Sequence, residues 1–407
     1  MSLIAELTNI SATAPPSATP TAFSSSIDSS TTQSTNPTTI TDSTTPSTTR
    51  RLLIVTRSYY LISGSNDTTI KFWYLNNGTL RTTFIGHTKA VTCVVNVGNG
   101  ILASGSADTT IRIWSMNNMS FLFAFNSSNG GHTDVVTSLA KISISLIASA
   151  SWDNSVKVWN LTSYSLKFTF DSTNGGHINK VNCLSFLKNG LLASGSSDFA
   201  VKLWDLASGS LNYSFDIMHN GYSSSIIQIL SFSSDILVAN ANMAILKTWN
   251  LINQTYMPFL LSTVNGKTGL FNSIAATDNS YLVTALSNGG IKVWDLGLGV
   301  ANYTFDGSYS YNSSVDLLCA ISGGLFAAAN GLNEIRLFNT NNGAPTYNLL
   351  GHSSRITAMI LANNGNLVSG SLDNSIRVWD VGAGVVKYVF NNTNGGHTGS
   401  INAFSII

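Results

Sequence analysis

Residues 176–205 read GHINKVNCLSFLKNGLLASGSSDFAVKLWD. An apolar run (181–187) is followed by two segments in which apolar and small or polar residues alternate, LLASGSSD and AVKLW. Period-2 alternation marks strands, and the small polar residues with Asp198 between the last two mark a tight turn. An aromatic-rich fourth segment, LNYSF, follows at 211–215. This four-strand unit recurs along the chain. Trp204 belongs to a lattice made by Trp73, Trp114, Trp159, Trp204, Trp249, Trp294, Phe338 and Trp379, with steps of 41, 45, 45, 45, 45, 44 and 41 residues. A period of that length means stacked repeats, because a sheet of four short strands buries its faces only against its neighbours. Closing the array into a ring protects the end sheets. The expected architecture is all-β, an eight-bladed β-propeller over residues 51–407.

At these residues the chain resembles the WD40-repeat family. Trp is followed by Asp at 204–205, 294–295 and 379–380, and Gly-His pairs stand at 86–87, 131–132, 176–177, 351–352 and 396–397. The His slot precedes the lattice aromatic by 27 residues, also where Tyr222, Lys267 and Tyr311 fill it. The resemblance implies a buried hydrogen-bond chain through His87, Ser104, Asp108 and Trp114, and likewise through His132, Ser149, Asp153 and Trp159. His177, Ser194, Asp198 and Trp204 form a third set, and His352, Ser369, Asp373 and Trp379 a fourth. Four identical sets around a ring suit a structural staple better than a catalytic triad, so no catalytic residue is assigned. The first repeat has Ser63, Asp67 and Trp73 but no His of its own. At the other end, His397 and SINAFSII (400–407) have no repeat to follow them. We therefore expect 400–407 to complete the first blade, bringing His397 to Ser63, Asp67 and Trp73. The segment RLLIVT (51–56) competes for the same strand position.

Composition narrows the function. The 407 residues carry 20 Lys and Arg against 19 Asp and Glu, a net charge of +1. No nucleic-acid partner is expected, since phosphate neutralisation calls for a basic stripe. Eight of the basic residues stand two positions before a lattice aromatic, from Lys71 and Arg112 to Arg336 and Arg377. There a long stem covers apolar surface while its charge stays wet. No apolar run is long enough to span a membrane. Cys93, Cys183 and Cys319 have no metal-ligand spacing and read as reduced thiols. Neither metal nor cofactor is expected. Residues 1–50 contain 25 Ser or Thr and five of the seven Pro, a composition expected to stay disordered. The start lacks a signal-peptide pattern, so cytoplasmic residence is expected, with the nucleus second and secretion disfavoured. Eleven Asn-x-Ser/Thr sequons match what this composition gives by chance.

Function must lie in departures from the repeat, because a propeller alone implies no activity. Trp152 is the one tryptophan off the lattice, in the turn between second and third strands. The resemblance implies that this turn lies on the narrow face around the central channel, where peptides dock. Leu372 holds the equivalent position in the last repeat. Lys89, Lys180 and Arg355, with Asp134, follow the His slot on that face. An aromatic anchor between cations suggests an acidic or phosphorylated peptide. The bland alternatives are a Trp152 folded onto its own loop and solvated loop charges. The longer repeats carry extra residues in NSSNGGH, DSTNGGH and NNTNGGH, also expected on this face. Three repeats are degenerate, with Met243, Asn288 and Leu332 in the Asp slot. Gly266-Lys267-Thr268 fails as a phosphate loop for want of an earlier Gly. The reading is a non-enzymatic protein-interaction scaffold, monomeric or part of a larger complex, presenting a platform to a protein or peptide. The alternative is an extracellular adhesion or recognition protein with a mucin-like N-terminal stalk.

Overall fold

The structure is a computed structural model of the full chain. It describes residues 59–216, 224–241, 245–257, 260–261, 263–264, 267–278, 280–298, 300–305 and 313–407. The expectations for 1–50, for RLLIVT, and for Tyr222, Met243 and Tyr311 lie outside these residues, as does the side chain of Lys267.

The described chain is an all-β propeller of eight antiparallel blades. Blade 2 shows the pattern, running from Val91–Gly98 through Ile101–Ser106 and Ile111–Ser115 to Ser120–Phe125. Blades 3 to 8 occupy 136–170, 181–216, 228–261, 271–305, 315–349 and 356–390. Blade 5 departs most. Its outer strand is reduced to Thr255–Tyr256 and Leu260–Leu261, and a small hairpin pairing Thr263 with Thr268 follows it. That hairpin occupies the place of the failed phosphate loop.

Blade 1 takes its inner strand from the other end of the chain. Ile401–Ile406 pairs antiparallel with Tyr60–Ser65, setting Leu61 opposite Ile406 and Ser63 opposite Phe404. Each inner strand then lies against the next around the whole ring.

The core follows from the alternation. Both faces of a blade are apolar, and eight separate clusters fill the eight seams between blades. In the seam between blades 2 and 3, Ile111, Ile113 and Phe125 pack on Val136, Ile147 and Trp159. The Phe that ends an outer strand stacks on the lattice Trp of the next blade, as in Phe170 on Trp204 with ring centroids 4.3 Å apart and Phe390 on Trp73 at 4.4 Å. Such offset pairs add to simple area burial.

A belt of polar contacts joins the inner strands. The second residue of each is usually Thr or Asn, and its side chain donates to the backbone carbonyl of the first residue in the next blade. Thr137 reaches Val181 at 2.8 Å, Asn182 reaches Ile226 at 2.9 Å, Asn272 reaches Val315 at 3.0 Å and Asn402 reaches Val91 at 2.9 Å. Thr92 and Thr357 make the same bond to Val136 and Ile401. The two remaining seams use other chemistry. Gln228 exchanges two hydrogen bonds with the backbone of Ile274, at 2.8 and 3.0 Å, and Asp316 pairs with Arg355 at 2.9 Å.

In five blades the recurring basic residue goes with the length of the preceding loop, whereas Arg336 of blade 7 follows a long connection. Short loops precede blades 2 and 8, and there the residue is Arg. A Cβ on Gly86 would stand 2.8 Å from Arg112 Nη1, and one on Gly351 would stand 2.5 Å from Arg377 Nη1. The guanidinium fills space against the loop. Where the longer loop is present, before blades 1, 3 and 4, the residue is Lys71, Lys157 or Lys202. The expectation of a wet charge fails at Lys247 and Lys292. Both are buried, and their ammonium groups lie over Tyr256 and Trp294 at 5.1 and 5.0 Å. Burial lowers their pKa values from the usual lysine range.

Removing residues 397–407 should strip blade 1 of its inner strand and leave the edge at Tyr60–Ser65 unpaired, which promotes association. The expected result is loss of cooperative melting and of a soluble monomer, read by calorimetry and size-exclusion chromatography. A truncated chain that melts like the full one contradicts closure by this strand.

Candidate functional site

The His, Ser, Asp and Trp sets come together in five blades. In blade 2, His87 Nδ1 lies 2.9 Å from Asp108 Oδ2 and its Nε2 lies 2.8 Å from Ser104 Oγ, which also accepts the Trp114 indole N–H at 2.9 Å. An ionised carboxylate can only accept, so Nδ1 carries the proton. Nε2 then accepts the Ser104 hydroxyl, and every polar atom is satisfied with a neutral imidazole. The sets of His132, His177 and His352 repeat this arrangement within about 0.1 Å. His397 makes the fifth across the closing seam, 2.8 Å from both Ser63 Oγ and Asp67 Oδ2, with Trp73 donating to Ser63 at 2.9 Å.

Each carboxylate also holds the loop, accepting the backbone N–H after the His, as at Thr88 and Thr398. A hydroxyl two residues on, from Thr69, Thr110, Ser155 or Ser375, donates to its second oxygen at 2.7 Å. The sequence reading missed this fifth member. Blade 4 has Ala200 there, and Asp198 Oδ1 accepts only the Ala200 backbone N–H, at 3.1 Å. Although the composition is that of a triad, the serine hydroxyls are fully buried and already donate to His. A substrate has no path to them.

Burial alone would raise these carboxyl pKa values, but the hydrogen bonds from His and from the loop donors outweigh it. Asp67, Asp108, Asp153 and Asp373 are held far below the usual 3.8, and Asp198 is lowered too. His132 and His397 are lowered from 6.5, chiefly by burial. Both shifts act in one direction. A lowered His is harder to charge in the fold than in the open chain, so stability is lost as pH falls below 6.5. The lowered carboxylates contribute fully above 3.8 and lose that contribution as pH falls further. The urea midpoint should therefore decline from neutrality and fall more steeply below about pH 4. A midpoint that rises on acidification contradicts this network.

The degenerate blades show what the staple replaces. In blade 7, Ala328 stands in the Ser slot and Phe338 in the Trp slot, so donor and acceptor vanish together. In blade 6, Thr284 takes the serine's place and accepts from Trp294 at 3.0 Å. Blade 5 keeps Trp249 but has Ala239, and the buried Trp249 indole N–H has no partner among the described residues. An unsatisfied buried donor costs roughly 1–3 kcal/mol. Ala239→Ser should raise stability by about 0.5–1.5 kcal/mol in urea unfolding, and a lower midpoint would show that the indole is already satisfied.

The second-to-third-strand turns and the His loops share one face. The N–H of Trp152 donates to Val135 at 3.0 Å, that of Ser197 to Lys180 at 2.8 Å and that of Leu372 to Arg355 at 2.9 Å. Trp152 is 39% exposed, and Lys180 Nζ of the next blade sits 4.1 Å above its ring. Lys89 is exposed one blade earlier, and Leu372 is exposed in blade 8. Asp134 is half-buried and accepts the Val135 N–H at 2.7 Å. Arg355 pairs with Asp316 at 2.9 Å across the seam between blades 7 and 8, and its side chain stays 56% exposed.

The Asn/Gly loops have defined structure. NSSNGGH folds as a single 3-10 turn in which Asn126 caps Ser128 N–H and Asn129 returns the bond to the Asn126 N–H. Gly130 takes φ 81°, and a Cβ on Gly131 would lie 2.4 Å from the Asn126 backbone. The loops at Asp171 and Asn391 are built identically. Burial pushes the Cys93 and Cys183 thiols up to about 12 and Cys319 to about 11, which leaves them unreactive. Among the described residues there is no cluster of potential metal ligands.

Eight four-stranded blades, repeated polar networks and closure by both chain ends define a repeat-built β-propeller. Four of the repeats are WD40 repeats: the model of the WD domain, G-beta repeat, matches residues 78–115, 124–160, 166–205 and 343–380. Those are the four stretches that carry complete sets within one repeat. Among relatives, the Saccharomyces cerevisiae protein DOA1 is 29% identical over 141 residues, 33% of this chain and 19% of that protein. Cell division control protein 4 of the same yeast is 34% identical over 73 residues, 18% of this chain and 9% of that one. Autophagy-related protein 16 of Arabidopsis thaliana is 25% identical over 154 residues, 36% and 28% of the two chains. The matches thus cover under a third of each relative. The crystal structure of the computationally designed Ika8 protein superposes with a TM-score of 0.67 at 26% identity, covering 79% of this chain and 93% of that one.

Proposed function

We propose that the chain is a non-enzymatic interaction scaffold that docks an acidic or phosphorylated peptide on its His-loop face. The observation that carries this reading is the Trp152–Lys180 pair. Trp152 rests against a lysine from the neighbouring blade and stays 39% exposed. One ring face is held by a cation, and part of the indole meets solvent beside that cation. An apolar side chain can pack on the indole while a neighbouring carboxylate or phosphate meets the ammonium. Ile178 and Leu372, exposed on the same face, extend the apolar surface. Lys89 adds positive charge and Asp134 limits it. Cytoplasmic residence is supported by three free cysteines, and no helix among the described residues is long and apolar enough to cross a membrane.

A library of synthetic acidic and phosphorylated peptides tests the reading. Trp152→Ala and Lys180→Glu should each abolish capture while leaving the melting curve unchanged. Trp204→Ala, which removes a buried ring bonded to Ser194 at 2.8 Å, should instead cost roughly 3–5 kcal/mol of stability. Undiminished capture by Trp152→Ala, or equal destabilisation by both tryptophan variants, overturns the assignment.

A further inference from the structure

Ten Asn-Gly pairs lie among the described residues. This dipeptide is prone to intramolecular attack, because glycine has no Cβ to shield its backbone nitrogen from the Asn side chain. The attack requires a free glycine N–H and a side-chain amide able to turn toward it. The fold withholds one or both at nine pairs. Six glycine N–H groups donate to backbone carbonyls: Gly78 to Tyr74 at 3.0 Å, Gly190 to Leu187 at 3.0 Å, Gly289 to Leu286 at 3.1 Å, Gly331 to Ser314 at 2.8 Å, Gly343 to Asn339 at 3.0 Å and Gly365 to Ala362 at 2.9 Å. In the three capped loops the amide is held at both ends. Asn129 accepts from Asn126 at 2.8 Å and donates to Ala124 at 2.9 Å, and Asn174 and Asn394 are held alike.

The tenth pair, Asn99-Gly100, has neither restraint. It forms the two-residue connection between the inner and second strands of blade 2, with φ 52° and 74° and Gly98 paired to Ile101. These positive angles are what a tight hairpin of this kind demands. Asn99 is exposed, and neither its amide nor the Gly100 N–H is hydrogen-bonded among the described residues.

We propose that Asn99 is a site of spontaneous covalent modification, converting to aspartate and isoaspartate ahead of the other nine pairs. The Gly100 nitrogen bonds to Asn99 Cγ, the Cγ–Nδ2 bond breaks, and the displaced proton leaves with the amine as ammonia. Water then opens the resulting succinimide at either carbonyl. The product places a carboxylate where charge favours it. Asn99 lines a cavity of about 450 Å³ with Tyr60, Phe72, Arg81, Asn96 and Met116. A Cβ on neighbouring Gly98 would lie 3.3 Å from Lys141 Nζ, so an ammonium stands at this turn as well. The site adjoins the ring closure, where Asn96 donates to Ile406 at 3.1 Å and to Ser405 Oγ at 3.0 Å. The isoaspartyl form lengthens the connection by one methylene beside that seam.

The test is incubation of the full chain at mildly alkaline pH and physiological temperature, followed by peptide mass mapping of all ten pairs over time. In the native protein, the peptide carrying Asn99 should gain the acid mass several-fold faster than any other, and Asn99→Gln should remove that early conversion. In urea the restraints vanish, so the ten rates should converge. Two outcomes overturn the proposal: another of the ten leading in the native chain, or the lead of Asn99 persisting unchanged in urea.

Discussion

A blade of four short strands has two apolar faces and no means of covering either by itself. Everything else in the molecule answers that constraint. The hydrophobic residues do not gather in one core but in eight, each belonging to a seam. A stack of such sheets has two bare ends, and the ring removes both by making the last seam from the two ends of the described chain. Ile401 packs with Val368 and Ile376 of blade 8 and with Leu61 and Trp73 of blade 1. The sequence repeat and the structural blade are therefore out of step by one strand, and that offset locks the ring.

The polar elements divide the work between inner belt and loop face. Thr and Asn side chains join neighbouring inner strands through backbone carbonyls, a contact indifferent to pH. The His networks tie each loop to its own blade through a neutral imidazole and an ionised carboxylate, which makes them sensitive to acid. Where the network is absent, the substitutions differ in quality. Blade 7 loses the indole donor and the serine acceptor together and leaves neither unsatisfied among the described residues, whereas blade 5 keeps the donor alone. Replacing both partners of a buried hydrogen bond is close to neutral, and removing one is not.

Departures from the repeat gather on the loop face, where backbone already bonded by the blades can carry side chains that packing does not constrain. Trp152 and Lys180 come from adjacent blades and meet there, as do Asp316 and Arg355. The two pairs differ in chemistry. The Lys180 ammonium rests on an exposed aromatic ring, whereas the Arg355 guanidinium is matched by a carboxylate.

The period of the lattice aromatics, the strand alternation and the Gly-His and Trp-Asp pairs were enough to read an eight-bladed propeller, because they express spacing along one chain. The spare His397 and the terminal strand were legible for the same reason, as parts missing at one end and surplus at the other. The Thr or Asn after the first apolar residue of six inner strands was also visible, at 92, 137, 182, 272, 357 and 402, but its partner lies in a separate blade, about 44 residues away in five cases and 311 at the closing seam. Proximity of that kind has no local signature. Tertiary structure alone decided that Arg355 would face Asp316, that Lys247 and Lys292 would be buried, and that Asn99 would stay unrestrained while nine similar pairs did not. Strand and turn follow from periodicity within a few residues. Which charge is satisfied, and which amide is held, depends on what the neighbouring blade brings to the seam.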